Sequence, residues 1–172
     1  MNFKVDLARM KKVYEEGLER RQKSGHGNVT LRATAKLVEN AFLKGRIGRF
    51  QFECDEPVSR GGDDKAPSPL EYFMIGAAFW LLSQVVQFAP LYSIEISDLS
   101  VDLRVNFDDA DKYDLPGSGA AFTNAEYRLK ITSPSPKEHV NKLITHAERA
   151  CHTAQSLRQP VSVTLETEII PT

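Results

Sequence analysis

The chain has 172 residues, enough for one ordinary domain that buries its own core without disulfide staples. Lys plus Arg number 22 against 23 Asp plus Glu, so no global field gathers nucleic acid or anionic lipid, and no nucleic-acid partner is expected. The 2 cysteines, Cys54 and Cys151, are too few for a disulfide framework and lack the paired spacing of a zinc site, so each is expected to be a thiol.

The opening segment alternates charges and has neither the apolar run nor the small-residue cleavage site of a secretory signal, so a cytoplasmic location is expected. Residues 6–22 place Leu7, Met10, Tyr14 and Leu18 on one helical stripe, with Asp6 able to cap the start. This predicts an amphipathic helical extension over 1–25, ahead of a core over 28–170, the whole forming a single domain over 1–172.

From Val29 the chain alternates Val29, Leu31, Ala33, Ala35 and Leu37 against Thr30, Arg32, Thr34 and Lys36, the period of a strand with one buried face. Phe50, Phe52 and Cys54 repeat that pattern, and Gly45 and Gly48 suggest a bulge or bend between them and Phe42. Ser68, Pro69 and Glu71 then form a capping box that starts a helix at Ser68. From Tyr72 to Leu82 every residue is apolar or glycine, so both sides of this helix must be covered. Its length approaches that of a membrane span. Ser83, Gln84 and Gln87, together with the lack of flanking basic clusters, favour burial between sheets or at a dimer seam, and no membrane partner is expected.

Beyond the helix, Tyr92, Ile94 and Ile96 keep one strand parity and Val101, Leu103, Val105 and Phe107 the other, which predicts a bulge near Asp98. Ala125, Tyr127, Leu129 and Ile131 make the partner strand, and Val161, Val163 and Leu165 a last one. The aspartates of 108–111 resemble calcium ligands, but the pattern fails where Tyr113, Asp114 and Ala120 stand, so a solvated hairpin loop is expected. A single late helix over 136–157 puts Val140, Leu143, Ile144, Ala147, Cys151 and Ala154 on one stripe, with Cys151 pointing inward. His139, His146 and His152 match no ligand spacing, so neither a metal nor a cofactor is expected. The order of elements argues an α+β fold of antiparallel sheets around a long apolar helix.

The capping segment "RGGDDKAPSPLEYFMIGAAFWLL" resembles the Gly-Gly-x-x-x-x-Pro-[Ser/Thr]-Pro-Leu-Glu-x-x-x-x-Ala-x-x-x-Cys pattern of the OsmC/Ohr superfamily, and "HAERACHTAQSL" is similar to its late Ala-x-x-x-Cys-Pro helix. The resemblance covers about Val29 to Ile170. It implies an intertwined homodimer and a thiol peroxidase in which a cysteine on the central helix is oxidised by an organic hydroperoxide and a cysteine on the late helix resolves the sulfenic acid as a disulfide. An arginine and a glutamate near the site help keep the first sulfur ionised.

On this resemblance the resolving position falls on Cys151, and the reacting position falls on Trp80. The proline after the late cysteine is replaced by His152, and the family's Pro-Glu pair reads Pro69 and Leu70, with Glu71 one place on. Arg46, Arg49 and Arg60 lie in the segment that could supply a guanidinium, and no motif singles one out. An indole has neither a thiolate nor a leaving-group role in peroxide cleavage. The expectation is therefore a protein that keeps the fold and dimer, has lost two-cysteine peroxidase chemistry, and binds a small apolar ligand or serves an unassigned stress-related role. The alternative is a single-cysteine hydroperoxide reductase using Cys151 or Cys54 with an external dithiol; it requires a reachable thiolate, which an apolar stripe disfavours.

Overall fold

The computed structural model describes residues 5–171. Helix α1 runs Leu7–Ser24; Asp6 caps it by accepting from the Arg9 amide at 2.9 Å, and Gly25 ends it in the left-handed region at φ 70°. Its half-buried stripe is Leu7, Met10, Tyr14 and Gly17, while Leu18, expected on that stripe, is exposed. The stripe packs on α2 and the turn after it, where Tyr14 meets Phe88 edge to face at 6.1 Å.

Strands β1 (Ala33–Glu39), β2 (Phe42–Ile47) and β3 (Phe50–Cys54) form an antiparallel sheet in the order β1-β2-β3. Two tight turns make it, one with Asn40 at φ 48° and one with Gly48 at φ 55°. Gly48 is thus a hairpin turn rather than a bulge. The pairing sets Ala33, Ile47 and Phe50 across from one another, then Ala35, Gly45 and Phe52, then Leu37, Leu43 and Cys54, so the expected alternation is aligned on one face of all three strands. Within the single chain that face is uncovered: Leu37 and Phe50 are 64% and 58% exposed. Val29 and Leu31, expected to open this strand, precede it and are exposed as well. The sheet is tied to the body at β3, where Tyr72 donates to the Glu53 carbonyl at 2.7 Å and meets Phe52 edge to face at 6.0 Å.

Between β3 and the central helix the acidic glycine loop closes around Asp55. Its buried carboxylate accepts from the amides of Glu56 (2.9 Å), Asp63 (3.1 Å) and Lys65 (3.1 Å). A Cβ at Gly62 would stand 1.8 Å from the Glu56 carbonyl oxygen, so only glycine lets the loop fold this tightly. Helix α2 (Pro69–Phe88) follows. Ser68 accepts from the Glu71 amide at 3.4 Å while the Glu71 carboxylate accepts from the Ser68 amide at 2.7 Å, the reciprocal cap read from sequence, worth about 1 kcal/mol. By length and composition the stretch Pro69–Tyr92 could cross a bilayer.

One face of α2, including Ala77, Leu81, Val85 and Phe88, is buried against β4, α3 and α4. Strands β4 (Asp98–Phe107) and β5 (Phe122–Thr132) pair antiparallel with Leu99 opposite Ile131, Val101 opposite Leu129 and Leu103 opposite Tyr127, the inward row expected. The bulge expected near Asp98 is absent. A 3-10 turn over Ala89–Tyr92 and a left-handed Ser93 redirect the chain, Ile94 and Ile96 are buried before the strand begins, and the change of parity falls at a bend at Ser97; the pairing slips at Asn106/Phe107.

The late helix is also two helices, α3 (Lys137–Arg149) and α4 (His152–Arg158), broken at Ala150–Cys151 with Cys151 extended at ψ 101°. No glycine or proline marks the break, so helical periodicity runs straight through it. The main core joins Val85, Phe88, Ile94, Ile96, Val140, Leu143 and Ala147, where each fully buried aliphatic side chain contributes about 1.5–3 kcal/mol. Residues 160–171, expected to contain a strand, form no helix or strand; Val161, Val163 and Leu165 are 63%, 88% and 89% exposed, because no edge in this chain pairs with them.

The Asp55 cradle carries a pH signature. Burial raises a carboxyl's pKa, but the three amides, with help from the Lys65 charge, hold Asp55 below the ordinary carboxylate range. A lowered folded-state pKa stabilises the protein above the unfolded value near about 4, and that contribution is lost as pH falls through the folded value. D55N is therefore expected to lower the Tm at pH 7 and to flatten its decline between about pH 4 and pH 2, measured by circular dichroism.

Candidate functional site

A second, smaller cluster lies beside the main core. Leu81, Cys151 and Ala154 form it, and Trp80, Val101, Tyr127 and Leu129 pack against it. The break before α4 turns Cys151 and Ala154 toward α2 and β5 rather than along the stripe of α3. Cys151 is fully buried and its Sγ lies 3.3 Å from Thr153 Oγ1. The Trp80 ring tilts against His152 with centroids 5.3 Å apart. Trp80 and Cys151 thus belong to the same cluster.

Two polar atoms of this cluster are sealed from solvent and find no hydrogen-bond partner among the described residues: Trp80 Nε1 and the Tyr127 hydroxyl oxygen. Burial pushes the Tyr127 phenol above its ordinary pKa; Thr153, close by, and the Arg158 charge act the other way. Thr153 and Tyr127 do not reach hydrogen-bonding geometry, and Thr153 turns to Cys151 instead. Outside the cluster, between β5 and α4, a groove of about 410 Å³ is lined by Phe122, Ala125, Tyr127, Ala154, Leu157 and Arg158 among others. Tyr127, Thr153 and Arg158 were not singled out from sequence. Only Tyr127 offered a signal, as a phenol in an otherwise aliphatic inward row.

Glu71 is not part of this cluster. It sits nine residues before Trp80 on α2, about 13 Å along the axis, and its carboxylate is taken up by the Ser68 amide and hydroxyl, which hold it below the ordinary range. Its charge acts on Cys54 instead. That thiol, at the end of β3, is held above its ordinary pKa by burial and then by the negative charges of Glu56, Asp55 and Glu71. Cys54 and Cys151 are both free and belong to different parts of the molecule. Of the arginines in the early segment, Arg60 is 3.7 Å from Glu56, Arg49 lies over Phe50, and Arg46 faces Gln51 and Thr34 in the sheet; none joins the cluster.

The remaining candidates have structural roles. His146 stacks on Phe88 at 4.2 Å, with its Nδ1 3.0 Å from the Tyr92 hydroxyl, and burial, then the Arg149 charge, lowers its pKa. Asp108 accepts from the Ala110 and Ser118 amides and folds the hairpin loop. No group of three His, Cys, Asp or Glu side chains among the described residues could hold a metal ion. The cluster therefore offers a buried thiol beside a hydroxyl, an indole and a phenol; Cys151 has Thr153 rather than a general base as its hydrogen-bond partner.

Thiol chemistry should reflect this. In the folded protein a disulfide reagent such as 5,5′-dithiobis(2-nitrobenzoate) is expected to modify Cys54 slowly at pH 7, faster as pH rises toward 9, and to leave Cys151 untouched until denaturant is added.

The family model described as OsmC-like protein matches residues 62–166. No curated protein matches the chain. Among solved structures, the OsmC-like protein from Mycoplasma pneumoniae superposes with a TM-score of 0.65 at 19% identity, covering 77% of this chain and 89% of that one. An organic hydroperoxide resistance protein OsmC from Legionella pneumophila gives 0.58 at 20% identity, covering 77% and 92%. An organic hydroperoxide resistance protein from Elizabethkingia anophelis gives 0.55 at 23% identity, covering 77% and 90%. These likenesses share the α+β fold with its antiparallel sheets, and together with the family match over most of the chain they lead to one conclusion: this protein belongs to the OsmC-like family.

Proposed function

We propose that this chain is an OsmC-like protein in which Trp80 stands at the reacting-cysteine position, so that two-cysteine reduction of organic hydroperoxides is lost and the site binds a small apolar ligand. The observation that carries this reading is the packing of Trp80, the residue that the resemblance aligns with the first sulfur, against the cluster that contains Cys151. The single-cysteine alternative has less support: Cys151 is fully buried, and the Cys54 thiol is held in its protonated form by burial and three acidic neighbours. Relatives in fold from Legionella and Elizabethkingia carry hydroperoxide-resistance names, which makes hydroperoxide the substrate class to test first.

The purified protein is expected to show no dithiol-dependent turnover of cumene hydroperoxide. W80C is the decisive variant. Its thiolate would attack the peroxide oxygen and expel the alcohol; Cys151 would then displace water from the sulfenic acid, giving a disulfide that an external dithiol reduces. Dithiol-dependent turnover gained in W80C and lost again in W80C/C151S supports the reading; robust turnover by the unaltered protein overturns it.

The same reading includes an intertwined homodimer. Its support is the aligned apolar face of β1–β3, the exposed Phe73, Ile75 and Phe79 on the free side of α2, and the alternating, unpaired segment after Pro160, three surfaces too apolar to leave in water. A second copy, rather than lipid, is proposed to cover α2. Light scattering is expected to give twice the chain mass, and F79D to shift it toward the monomer.

A further inference from the structure

The binding reading leaves the ligand's chemistry open, and the polar atoms around Trp80 narrow it. Trp80 Nε1 can only donate, and the Tyr127 hydroxyl has a proton to place; both are buried beside Cys151 with no acceptor among the described residues. A donor sealed without an acceptor is a standing cost, recovered when an acceptor reaches it and not when an alkane does. The charge nearby is neutralised in place: Arg158, close enough to act on Tyr127, is held by Glu148, so an anionic head finds no free cation there. No carboxylate belongs to the cluster either, which leaves a cationic head without a counter-ion.

The groove between β5 and α4 supplies the body of the site. Its volume, about 410 Å³, lies within the range of small-molecule sites; Phe122, Ala125, Ala154 and Leu157 form its apolar wall and Thr123, Asn124, Ser156 and Arg158 its polar one, with Tyr127 and Ala154 shared between the groove and the cluster. Helix α4 has only 7 residues and is set off from α3 by the break at Cys151; contact between the two sealed donors and a molecule in the groove requires α4 to part from β5.

We propose that the ligand is an uncharged molecule with an apolar body in the β5–α4 groove and a single carbonyl-type acceptor, as in a ketone, ester or amide, held by the Trp80 indole N–H and the Tyr127 hydroxyl. This rests on the ligand-binding reading above and adds the head group to it.

Trp80 is the only tryptophan of the chain, so a ¹⁵N-labelled sample shows one indole N–H resonance, placed at the proposed contact. The intact protein is titrated with acetophenone and with ethylbenzene, its near-isostere without the acceptor. Acetophenone is expected to move the indole proton downfield in a saturable way and to bind at least about fivefold more tightly than ethylbenzene. Y127F, checked for folding by circular dichroism, is expected to weaken acetophenone about five- to tenfold and leave ethylbenzene unchanged. Equal binding of the two probes, or an indole resonance that acetophenone does not move, overturns the carbonyl assignment while leaving an apolar site in place. Binding of neither probe overturns the carbonyl assignment and the ligand-binding reading together. The wild-type titration alone decides these outcomes should Y127F fail to fold.

Discussion

A helix that is apolar around its whole circumference has to be covered on every side, and that requirement organises this molecule. From Tyr72 to Leu82 no residue of α2 carries a charge, and within its own chain α2 is covered by α1, β4, α3 and α4 while Phe73, Ile75 and Phe79 stay exposed. The capping box at Ser68 settles where the helix starts, and the Asp55 cradle settles how the chain approaches it. Everything chemically interesting hangs from the covered side, because the break before α4 brings Cys151 round to meet Trp80 there.

The elements whose signals are local were legible. Asp6 and the Ser68–Glu71 pair name two helix starts, since a side-chain acceptor for an orphan amide is written in three or four adjacent residues. The inward rows of β4 and β5 followed from period two alone. What failed depended on distant partners. The alternation through β1–β3 is real and in register across the sheet, yet it faces solvent in a single chain. Val161, Val163 and Leu165 alternate equally well and pair with nothing in their own chain, because a strand exists only with a neighbour. The parity change between Ile96 and Val101 looked like a bulge and falls at a bend at Ser97, just before the paired strand begins.

The site shows the same division. Cys151 pointing inward and Trp80 near it were accessible from spacing and resemblance; that Thr153 would turn to Cys151, and that Tyr127 would keep its hydroxyl without a partner, depend on a helix break that no glycine or proline announces. Glu71 illustrates the opposite error. An acid near a suspected thiol centre invites a chemical role, but its oxygens already serve the Ser68 amide and hydroxyl, and a carboxylate engaged in holding a helix start has little freedom to serve a sulfur a long way down the same helix.

The rings of Tyr14, Phe88, His146 and Tyr92 touch in series and link α1, α2, α3 and the turn after α2. Such a row behaves like books on a shelf: take away the first and the next leans. A recombinant version trimmed to begin at the family match would lift Tyr14 off Phe88 and expose the ring on which the imidazole is stacked. The leading helix is therefore not a dispensable tail, and comparisons of this protein with shorter relatives belong with the whole chain.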